Sequence, residues 1–549
     1  MSPDSLPLRG VLVAGAGSGS GKTLATLALL AGLREKGRAV LPYKCGPDFI
    51  DPRHHERVAL TPSKNLDLHF TPPPLLRESF DRDLSGTSGA VVEGVMGLFD
   101  GMAGGRSTFD IARVLGLPIV LVLSARGMAE TAAALVQGLV SFREGGHFAG
   151  VIATRTGSER HREMIARALE EADLPPLLGV LPRDEALTLP ERYLGLCAPG
   201  EAGEDAERGF LERLAEHARR FDWERILPFF SEQAVSSPSK EEPGSSSGQF
   251  LSSLRERALR DPAPDSFGAS PSLLPDESEG GKTPARGAGK GMGGSPRPRL
   301  AVALDRAFWF YYHENFESLG AAGVEIVFFS PLEDPRLPPG TQGLYLGGGY
   351  PERFAGALSR NRSMIDSVRE FCHSGRPVYA ECGGMLYLTQ GPEGEGRGAE
   401  ENHEEKGKTP QEGEGREIQS PLASPSLVGV LPVRYRLGER LRRLGYAEVR
   451  AGEGLFSGVP GTLRGHLFHY TTLTGKEALP GGSRPEEAQA GPAGKESPAF
   501  LHAADGRPEG WALGGVAASY MHAFFPTNPH FAARLAESLR LGGSARSPA

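Results

Sequence analysis

The stretch "GVLVAGAGSGSGKT", residues 10–23, joins an apolar run to a glycine-rich loop and then to the start of a helical segment. Such a run is typical of a strand buried on both faces of a parallel sheet. The loop would offer backbone N–H groups to phosphate oxygens, while Lys22 adds a charge and Thr23 a hydroxyl for a metal. Ala16 replaces the first glycine of the strict pattern, so we interpret the stretch as a variant nucleotide-binding loop rather than a plain glycine-rich turn. The predicted phosphate-binding residues are Gly17, Gly19, Gly21, Lys22 and Thr23.

Composition narrows the class of protein. The chain has 549 residues and a formal net charge of -8, which gives no basic field for a nucleic acid or a membrane surface. Its four cysteines form no disulfide framework and are typical of a reducing compartment. Neither an apolar signal region nor a membrane-spanning apolar run is present. We therefore expect a cytoplasmic protein that binds small molecules and binds neither nucleic acid nor membranes. The protein could form a homodimer.

Low-complexity segments divide the chain. Residues 233–298 are rich in Ser, Gly, Pro and charge, and we expect them to form a disordered linker. Similar composition predicts surface insertions at about 391–424 and 476–498. The remaining segments, 1–232 and 299–545, each alternate short apolar runs with helical stretches. This rhythm predicts two α/β domains with mainly parallel sheets, whose functional loops follow the carboxyl ends of the strands.

Carboxylates follow two of the predicted strands. Lys44, Asp48 and Asp51 lie after the second strand, and Glu93 and Asp100 accompany the next one. A bound nucleotide needs a divalent metal, and therefore acidic residues at neighbouring strand ends. Glu93 ends an otherwise apolar strand, which is a costly place for a carboxylate without a partner. Asp51 could instead serve only as a turn residue before a proline.

A cysteine occupies the turn of "PVYAECGGMLYL", residues 377–388. The pattern predicts a strand, a sharp elbow at Cys382 and a helix, which is the arrangement of an exposed nucleophile. The N-terminus of that helix is expected to lower the pKa of the thiol. A buried structural cysteine is the alternative. Cys372 is a weaker candidate because "FCHSG" lacks the elbow.

Six motifs of the N-terminal half together resemble the corrinoid a,c-diamide synthases, whose first domain is similar to dethiobiotin synthetase. They are "GSGKT", "KCGPDFIDPRHHE", "NLD", "VEGVMGLFDG", "STFDIAR" and "LPERYLGL". The resemblance implies that ATP transfers its γ-phosphate to a substrate carboxylate, which gives the carboxylate a leaving group. Lys22 and Lys44 would then neutralise the migrating phosphate.

The same resemblance implies a metal site and a substrate site. Thr23, Asp48 and Glu93 would hold Mg²⁺ beside the ATP. The candidates for the substrate site are Asp51, Asp100, Arg106 and the "LPERYLGL" segment. Arg106 could equally be a solvated loop residue.

The C-terminal half resembles the class I glutamine amidotransferases in their cobyrinate-synthase form. A glycine-rich loop, the cysteine elbow and a late histidine occur in that order. The resemblance implies that Cys382 attacks the glutamine side-chain amide, that Gly348 and Gly349 offer N–H groups to the oxyanion, and that His522 handles the thiol proton.

Two positions depart from the wider pattern. Phe524 stands where other amidotransferases of this class carry a third acid, so nothing obvious orients the histidine. In "RGHLFHY", Leu467 replaces a glutamate that relatives usually show between two histidines. We expect His466 and His469 to be structural or interface residues rather than catalysts.

The two resemblances together imply ATP- and glutamine-dependent amidation of the a and c acetates of cobyrinate or hydrogenobyrinate in cobalamin biosynthesis. A switch or partitioning ATPase shares the variant loop, but it predicts neither the cysteine elbow nor a second α/β half. Cobyric acid synthase shares both domains, and the "GPDFIDP…NLD" run favours the a,c-diamide enzymes over it. A nickel-sirohydrochlorin a,c-diamide synthase is nearly indistinguishable from one sequence.

Overall fold

A computed structural model describes residues 9–102, 105–187, 191–192, 195–196, 204–232, 297–393, 425–438, 440–474, 501–503 and 508–542. The predicted insertion 476–498 lies outside the described residues, as do nearly all of the predicted linker 233–298 and of the predicted insertion 391–424. The proposed domain boundaries therefore stay predictions.

The N-terminal half is built around a seven-stranded sheet in the order β3-β2-β4-β1-β7-β8-β9, with every neighbouring pair parallel. The strands of this half are β1 (Gly10–Gly15), β2 (Val40–Cys45), β3 (Lys64–Leu66), β4 (Gly89–Gly97), β5 (Gly101–Met102), β6 (Arg106–Ser107), β7 (Ile119–Ser124), β8 (Phe148–Thr156), β9 (Leu177–Pro182), β10 (Glu191–Arg192) and β11 (Gly195–Leu196). Its α-helices are α1 (Lys22–Glu35), α2 (Ile50–Ala59), α3 (Pro73–Asp83), α4 (Thr108–Leu115), α5 (Glu130–Ser141), α6 (Glu159–Glu171), α7 (Glu204–Ala218) and α8 (Trp223–Ile226).

Alternation along the central strand explains why this sheet has helices on both faces. In β1, Leu12 and Ala14 belong to one hydrophobic cluster, whereas Val11 and Val13 belong to another. Successive side chains of a strand point to opposite faces, so an entirely apolar strand must be covered on both. Because helices cover the two faces, the carboxyl end of β1 is the part of this strand that can meet a ligand. The glycine-rich loop begins there.

The C-terminal half contains a six-stranded sheet in the order β14-β12-β15-β17-β25-β24, parallel except for the last pair. The strands of this half are β12 (Arg299–Ala303), β13 (Phe308–Phe310), β14 (Glu325–Phe329), β15 (Gly343–Leu346), β16 (Gly348–Gly349), β17 (Val378–Glu381), β18 (Arg434–Leu437), β19 (Arg443–Ala451), β20 (Thr462–His469), β21 (Thr471–Thr474), β22 (Leu501–Ala503), β23 (Pro508–Glu509), β24 (Trp511–Leu513), β25 (Val516–Ser519) and β26 (His522–Phe524). Its α-helices are α9 (His313–Ala321), α10 (Ala355–Arg360), α11 (Arg362–His373), α12 (Gly383–Leu388) and α13 (Pro529–Gly542).

The prediction of two α/β halves with mainly parallel sheets is confirmed, with one addition. A five-stranded antiparallel sheet, in the order β23-β22-β19-β20-β26, carries both "RGHLFHY" and His522. The sequence analysis did not predict this sheet. Among the described residues, no helix is long and apolar enough to cross a membrane.

Candidate active site

The glycine-rich loop leads from β1 directly into α1, as the sequence predicts. Gly19 and Gly21 have φ angles of 74° and 93°, a region that favours glycine. A Cβ on Gly21 would also lie 2.8 Å from Thr154 Cγ2, so the loop passes too close to β8 for a side chain. Lys22 Nζ donates a hydrogen bond to the carbonyl of Gly17 at 3.2 Å. Burial, with the charge of Lys44 nearby, lowers the pKa of Lys22.

Glu93 is the centre of the predicted phosphate and metal site, and its side chain is fully buried. Its Oε1 accepts hydrogen bonds from Thr23 Oγ1 at 2.7 Å and from Lys44 Nζ at 2.8 Å. Lys44 also forms an ion pair with Asp51. Burial disfavours the charged forms of both Glu93 and Lys44. Lys44 and His55 nevertheless hold the pKa of Glu93 well below its usual range. The structure thus brings the predicted acidic, basic and hydroxyl groups together at one sheet edge.

His55 is a member of this cluster to which the sequence analysis gave no role. Its Nε2 lies 2.7 Å from Glu93 Oε2, and its Nδ1 lies 3.1 Å from Ser63 Oγ. His55 therefore fixes the second oxygen of the buried carboxylate. It belongs to the quoted "KCGPDFIDPRHHE" motif, and its position on the buried side of α2 was the available signal.

The remaining predicted acids and Arg106 occupy the surroundings of this cluster. Asp48 Oδ1 accepts hydrogen bonds from the N–H groups of Ile50 and Asp51, which orders the start of α2. Asp100 is exposed, and its carboxylate accepts the N–H of Gly97 at 2.9 Å.

Arg106 lies at the exposed rim of the site. Its guanidinium is 3.0 Å from His69 Nδ1. The ring of His69 in turn packs on Tyr446 of the C-terminal half, with centroids 4.1 Å apart. Arg106 is thus exposed and has a hydrogen-bond partner, and its place in a substrate site stays a prediction.

One cavity of about 1250 Å³ extends from the glycine-rich loop to the C-terminal half. Lys22, Lys44 and Glu93 line it on the N-terminal side, and Tyr446 and His522 line it on the other. Two exposed apolar side chains also line it, namely Met96, 43% exposed, and Leu444, 68% exposed. The phosphate site and the predicted amidotransferase base thus face the same space.

Hydrogen bonds and ion pairs between the halves fix this arrangement. Among the described residues, these bonds include several from residues 56–69 of the N-terminal half. They join Glu56 with His313 at 2.5 Å, Lys64 with Glu317 at 2.7 Å, the N–H of Asn65 with Glu314 at 3.1 Å, Asp67 with Tyr446 at 2.6 Å, and the carbonyl of His69 with Arg464 at 3.0 Å.

Cys382 occupies the predicted elbow between β17 and α12. Its φ of 44° is strained for a residue with a side chain, as in other nucleophile elbows. The expected lowering of the thiol pKa is wrong for this structure. Burial raises the pKa of Cys382, and the nearby N–H of Gly383 only partly opposes this. The thiol is 7% exposed, and α12 has only six residues, so desolvation outweighs the helix end. Cys372, the weaker candidate, is buried and its pKa is raised to about 12.

The predicted oxyanion residues lie beside His522 and beside Gly383, the residue that follows Cys382. A Cβ on Gly348 would lie 2.2 Å from His522 Cε1, so only glycine leaves room for the imidazole. A Cβ on Gly383, next to the nucleophile, would lie 2.9 Å from the nitrogen of Gly349. The glycine pair, the elbow and the histidine therefore share one small region.

Rings rather than a carboxylate surround His522. Its Nδ1 has no hydrogen-bond partner among the described residues. It stacks on His466 with ring centroids 4.9 Å apart and 17° between planes. Burial, with His466 and His469 nearby, lowers the pKa of His522 well below its ordinary value. The lowered pKa favours the neutral imidazole, which is the form that a general base requires.

Phe524 and Leu467, which replace acids of the wider pattern, are both buried. Phe524 stacks on Phe70 of the N-terminal half with centroids 5.0 Å apart. An aromatic contact between the halves thus occupies the position of the missing acid. His466 lines the cavity, and its Nδ1 is hydrogen-bonded to the hydroxyl of Tyr312 at 2.8 Å.

Glu381 is a further residue that the sequence analysis missed. It precedes the nucleophile, and its Oε1 accepts hydrogen bonds from Tyr379 at 2.6 Å and from the N–H of Ala523 at 3.0 Å. Its Oε2 accepts one from Tyr345 at 3.0 Å. Burial raises the pKa of Glu381 to about 7. A glutamate inside a buried strand was the signal that could have identified it.

Comparison with known proteins gives matches to both halves. Residues 11–196 match the family described as the CobQ/CobB/MinD/ParA nucleotide binding domain, and residues 299–529 match the CobB/CobQ-like glutamine amidotransferase domain. Cobyrinate a,c-diamide synthase of Dehalococcoides mccartyi is 34% identical over 530 residues, which cover 95% of this chain and 96% of its own. Hydrogenobyrinate a,c-diamide synthase of Streptomyces coelicolor is 36% identical over 535 residues, which cover 96% of this chain and 97% of its own. Similarity at this level over nearly the whole of both chains shows that the chain belongs to the cobyrinate a,c-diamide synthase family.

Proposed function

We propose that this protein is an ATP- and glutamine-dependent ligase that amidates the a and c acetate carboxylates of cobyrinate or hydrogenobyrinate in cobalamin biosynthesis. Family membership supports the reaction class. The structural observation that carries the proposal is the single cavity lined by Lys22 at one side and His522 at the other. The base of the site that makes ammonia would then face the same cavity as the site that consumes ammonia.

The N-terminal side of the cavity supports carboxylate activation. Ammonia does not displace the oxygen of a free carboxylate, so the acid must first be converted to an acyl phosphate. Lys22 and Lys44 provide two positive charges beside the glycine-rich loop for the phosphate being transferred. Ion pairs with Asp51 and Glu93 keep Lys44 protonated in its buried position.

Mg²⁺ is the metal that the donor set fits. Thr23, Asp48 and Glu93 offer hydroxyl and carboxylate oxygens, which are the ligands this ion prefers, and Thr23 Oγ1 already lies 2.7 Å from Glu93 Oε1. When bound, the ion would neutralise charge on the nucleotide phosphates. His55 would keep the carboxylate of Glu93 oriented toward the ligand.

The C-terminal side supports release of ammonia from glutamine. The Cys382 sulfur attacks the side-chain amide carbon as its proton passes to neutral His522. The N–H groups around Gly348 and Gly349 stabilise the oxyanion. The C–N bond then breaks, the nitrogen takes the proton from His522, and a glutamyl thioester remains. Water hydrolyses the thioester to glutamate and restores the thiol.

The rim of the cavity suits a large acidic ligand. Arg106 and His69 lie side by side at the rim, where they can bind a peripheral carboxylate of the substrate. The apolar side chains of Met96 and Leu444 can contact the face of a macrocycle. Such contacts would select which acetate reaches the phosphate.

The proposed function is tested by product analysis. Purified protein is incubated with ATP, Mg²⁺, and either glutamine or ammonium salt, and offered cobyrinate, hydrogenobyrinate and nickel-sirohydrochlorin side by side. Mass spectrometry then counts carboxyl-to-amide replacements. We expect two replacements on one of the first two acids, with one ATP and one glutamine consumed for each.

Cys382→Ala provides the matched control. We expect this variant to lose glutamine-driven amidation and to keep ammonium-driven amidation, because the N-terminal side does not need the thiol. One or four replacements, or a product only from nickel-sirohydrochlorin, would reassign the substrate within the family. Loss of both reactions would contradict the division into two sites. A cytoplasmic location and a homodimer stay predictions, to be checked by cell fractionation and sedimentation.

A further inference from the structure

Phe49 is a side chain of the N-terminal half that is buried by the C-terminal half. It lies between Asp48 and the first residue of α2, and only 8% of it is exposed. The hydrophobic cluster of buried residues that contains it otherwise consists of C-terminal side chains, apart from Phe70. The ring is thus part of the surroundings of the amidotransferase site.

The contacts of Phe49 include two of the cavity-lining histidines, His466 and His522. Its ring centroid lies 5.1 Å from that of His522 and 5.4 Å from that of His466. Phe310 stacks on it at 5.1 Å with 12° between planes. Because His522 lacks a hydrogen-bonded acid at Nδ1, ring contacts are what the structure provides to fix its plane.

The other side of Phe49 is the phosphate site. Asp48 Oδ1 accepts the N–H groups of Ile50 at 2.7 Å and Asp51 at 3.3 Å, so the main chain that follows Phe49 is tied to the carboxylate of the residue that precedes it. Asp51 in turn pairs with Lys44. A change of charge at the phosphate site therefore acts on Asp48 and Asp51, which lie one residue before and two residues after Phe49.

We propose that Phe49 is a positioning residue for His522, and that it links glutamine hydrolysis to the occupancy of the phosphate site. The proposal rests on the function proposed above, because it takes His522 as the base of the glutaminase. An element that contacts two sites can couple them when it responds to the occupancy of one and positions a group of the other. The Asp48–Phe49 pair is such an element. Through it, filling of the phosphate site would promote glutamine hydrolysis and so the release of ammonia.

The test uses the full-length chain with Phe49→Ala and Phe49→Leu. Glutamine hydrolysis is measured with and without ATP and cobyrinate, together with ammonium-driven amidation. We expect kcat for glutamine hydrolysis to fall by about 10- to 100-fold, with KM changed by less than about 2-fold, because the base is misplaced while the glutamine site is intact. Stimulation by ATP and cobyrinate should be lost, and ammonium-driven amidation should stay within about 3-fold of wild type.

The pH profile of hydrolysis separates positioning from a general packing defect. Removing the ring admits water to His522, whose titratable neighbours are His466 and His469. The acid limb of kcat should therefore move to higher pH in Phe49→Ala. The matched control is Phe70→Leu, an aromatic residue at the same boundary that has no ring contact with either His466 or His522 among the described residues. The control should keep the wild-type profile.

Two results would overturn the proposal. One is a Phe49→Ala enzyme with wild-type kcat, pH profile and stimulation. The other is an equal loss of ammonium-driven amidation in Phe49→Leu, which would place the damage in the phosphate loop; this variant also decides the matter if the alanine variant does not fold. Failure of the proposed function is distinguishable from failure of this proposal. In that case wild-type protein would hydrolyse glutamine without amidating any corrinoid, and the rate of glutamine hydrolysis alone would still test Phe49.

Discussion

Glu381 Oε1 accepts a hydrogen bond from the main-chain N–H of Ala523 at 3.0 Å, which connects the residue before Cys382 to the residue after His522. The buried carboxyl group thereby fixes the distance between the strand of the nucleophile and the strand of the base. This hydrogen bond holds the main chain next to His522 in place. It thereby supplies part of the positioning that a third acid beside the histidine would give.

We expect Glu381→Ala to lower glutamine-driven amidation by about 100-fold, because His522 loses its support and small displacements of a catalytic group are costly. Glu381→Gln should lose less than about 5-fold, since its amide oxygen can still accept the N–H of Ala523. Ammonium-driven amidation, measured in parallel, should persist in both. A glutamine variant as impaired as the alanine variant would show that the negative charge, rather than the hydrogen bond, is needed.

His55→Ala should lower amidation from both nitrogen sources by about 10- to 100-fold and raise the Mg²⁺ concentration required, because Glu93 loses the group that orients it. Titration of activity with Mg²⁺ measures the effect. His55→Gln places a nitrogen near the position of Nε2 and should recover much of the activity. An unchanged Mg²⁺ requirement in the alanine variant would argue against the assignment of Glu93 as a ligand.

Gly348→Ala should reduce glutamine hydrolysis by about 100-fold, because its Cβ would lie 2.2 Å from His522 Cε1 and displace the ring. Gly356→Ala is the control within the same half, since its Cβ would meet nothing closer than Arg360 at 3.6 Å. Steady-state kinetics with glutamine compare the two. Normal hydrolysis by Gly348→Ala would place the working position of His522 elsewhere.

The stability of the C-terminal half should fall in mild acid partly through His466. Burial lowers the pKa of His466 to about 3, whereas an unfolded histidine has a pKa of about 6.5. Between these values only the unfolded chain binds the proton, so this group's stabilising contribution is complete above about pH 6.5 and is lost as the pH falls.

Denaturant unfolding at several pH values measures this loss. In His466→Asn the slope of unfolding free energy against pH should be smaller than in wild type by about 1 kcal/mol per pH unit in that window. Glu314 and Glu381, whose pKa values burial raises to about 7, act in the opposite direction in both proteins and cancel in the difference. The exposed His530→Asn should keep the wild-type slope, and equal slopes in all three proteins would contradict the prediction.

The sequence predicted the local chemistry better than the contacts between distant segments. The loop at Lys22, the acids at strand ends and the elbow at Cys382 each follow from a short run of residues, and the structure shows the predicted local geometry. The antiparallel sheet was missed because its strands are mixed in polarity and scattered between residues 443 and 524. The prediction of a lowered thiol pKa was wrong because the burial of Cys382 depends on the whole fold. The helix N-terminus beside it, in contrast, can be recognised from the local sequence. Neither Phe49 nor Glu381 could be assigned a role, since their partners come from segments far away in sequence.

The placement of Phe49 and Phe70 in the C-terminal core has a consequence for synthesis of the chain. Both rings leave the ribosome several hundred residues before their partners near His522, which at about 5–20 residues per second is a delay on the order of half a minute or longer. During that interval an otherwise foldable domain carries two aromatic rings with no cover, and such surfaces attract chaperones or other nascent chains. Ribosome-bound chains ending before residue 297 should therefore bind an apolar fluorescent dye, and less so when both phenylalanines are replaced by serine. Equal binding by both would mean that the rings find cover within the N-terminal half itself.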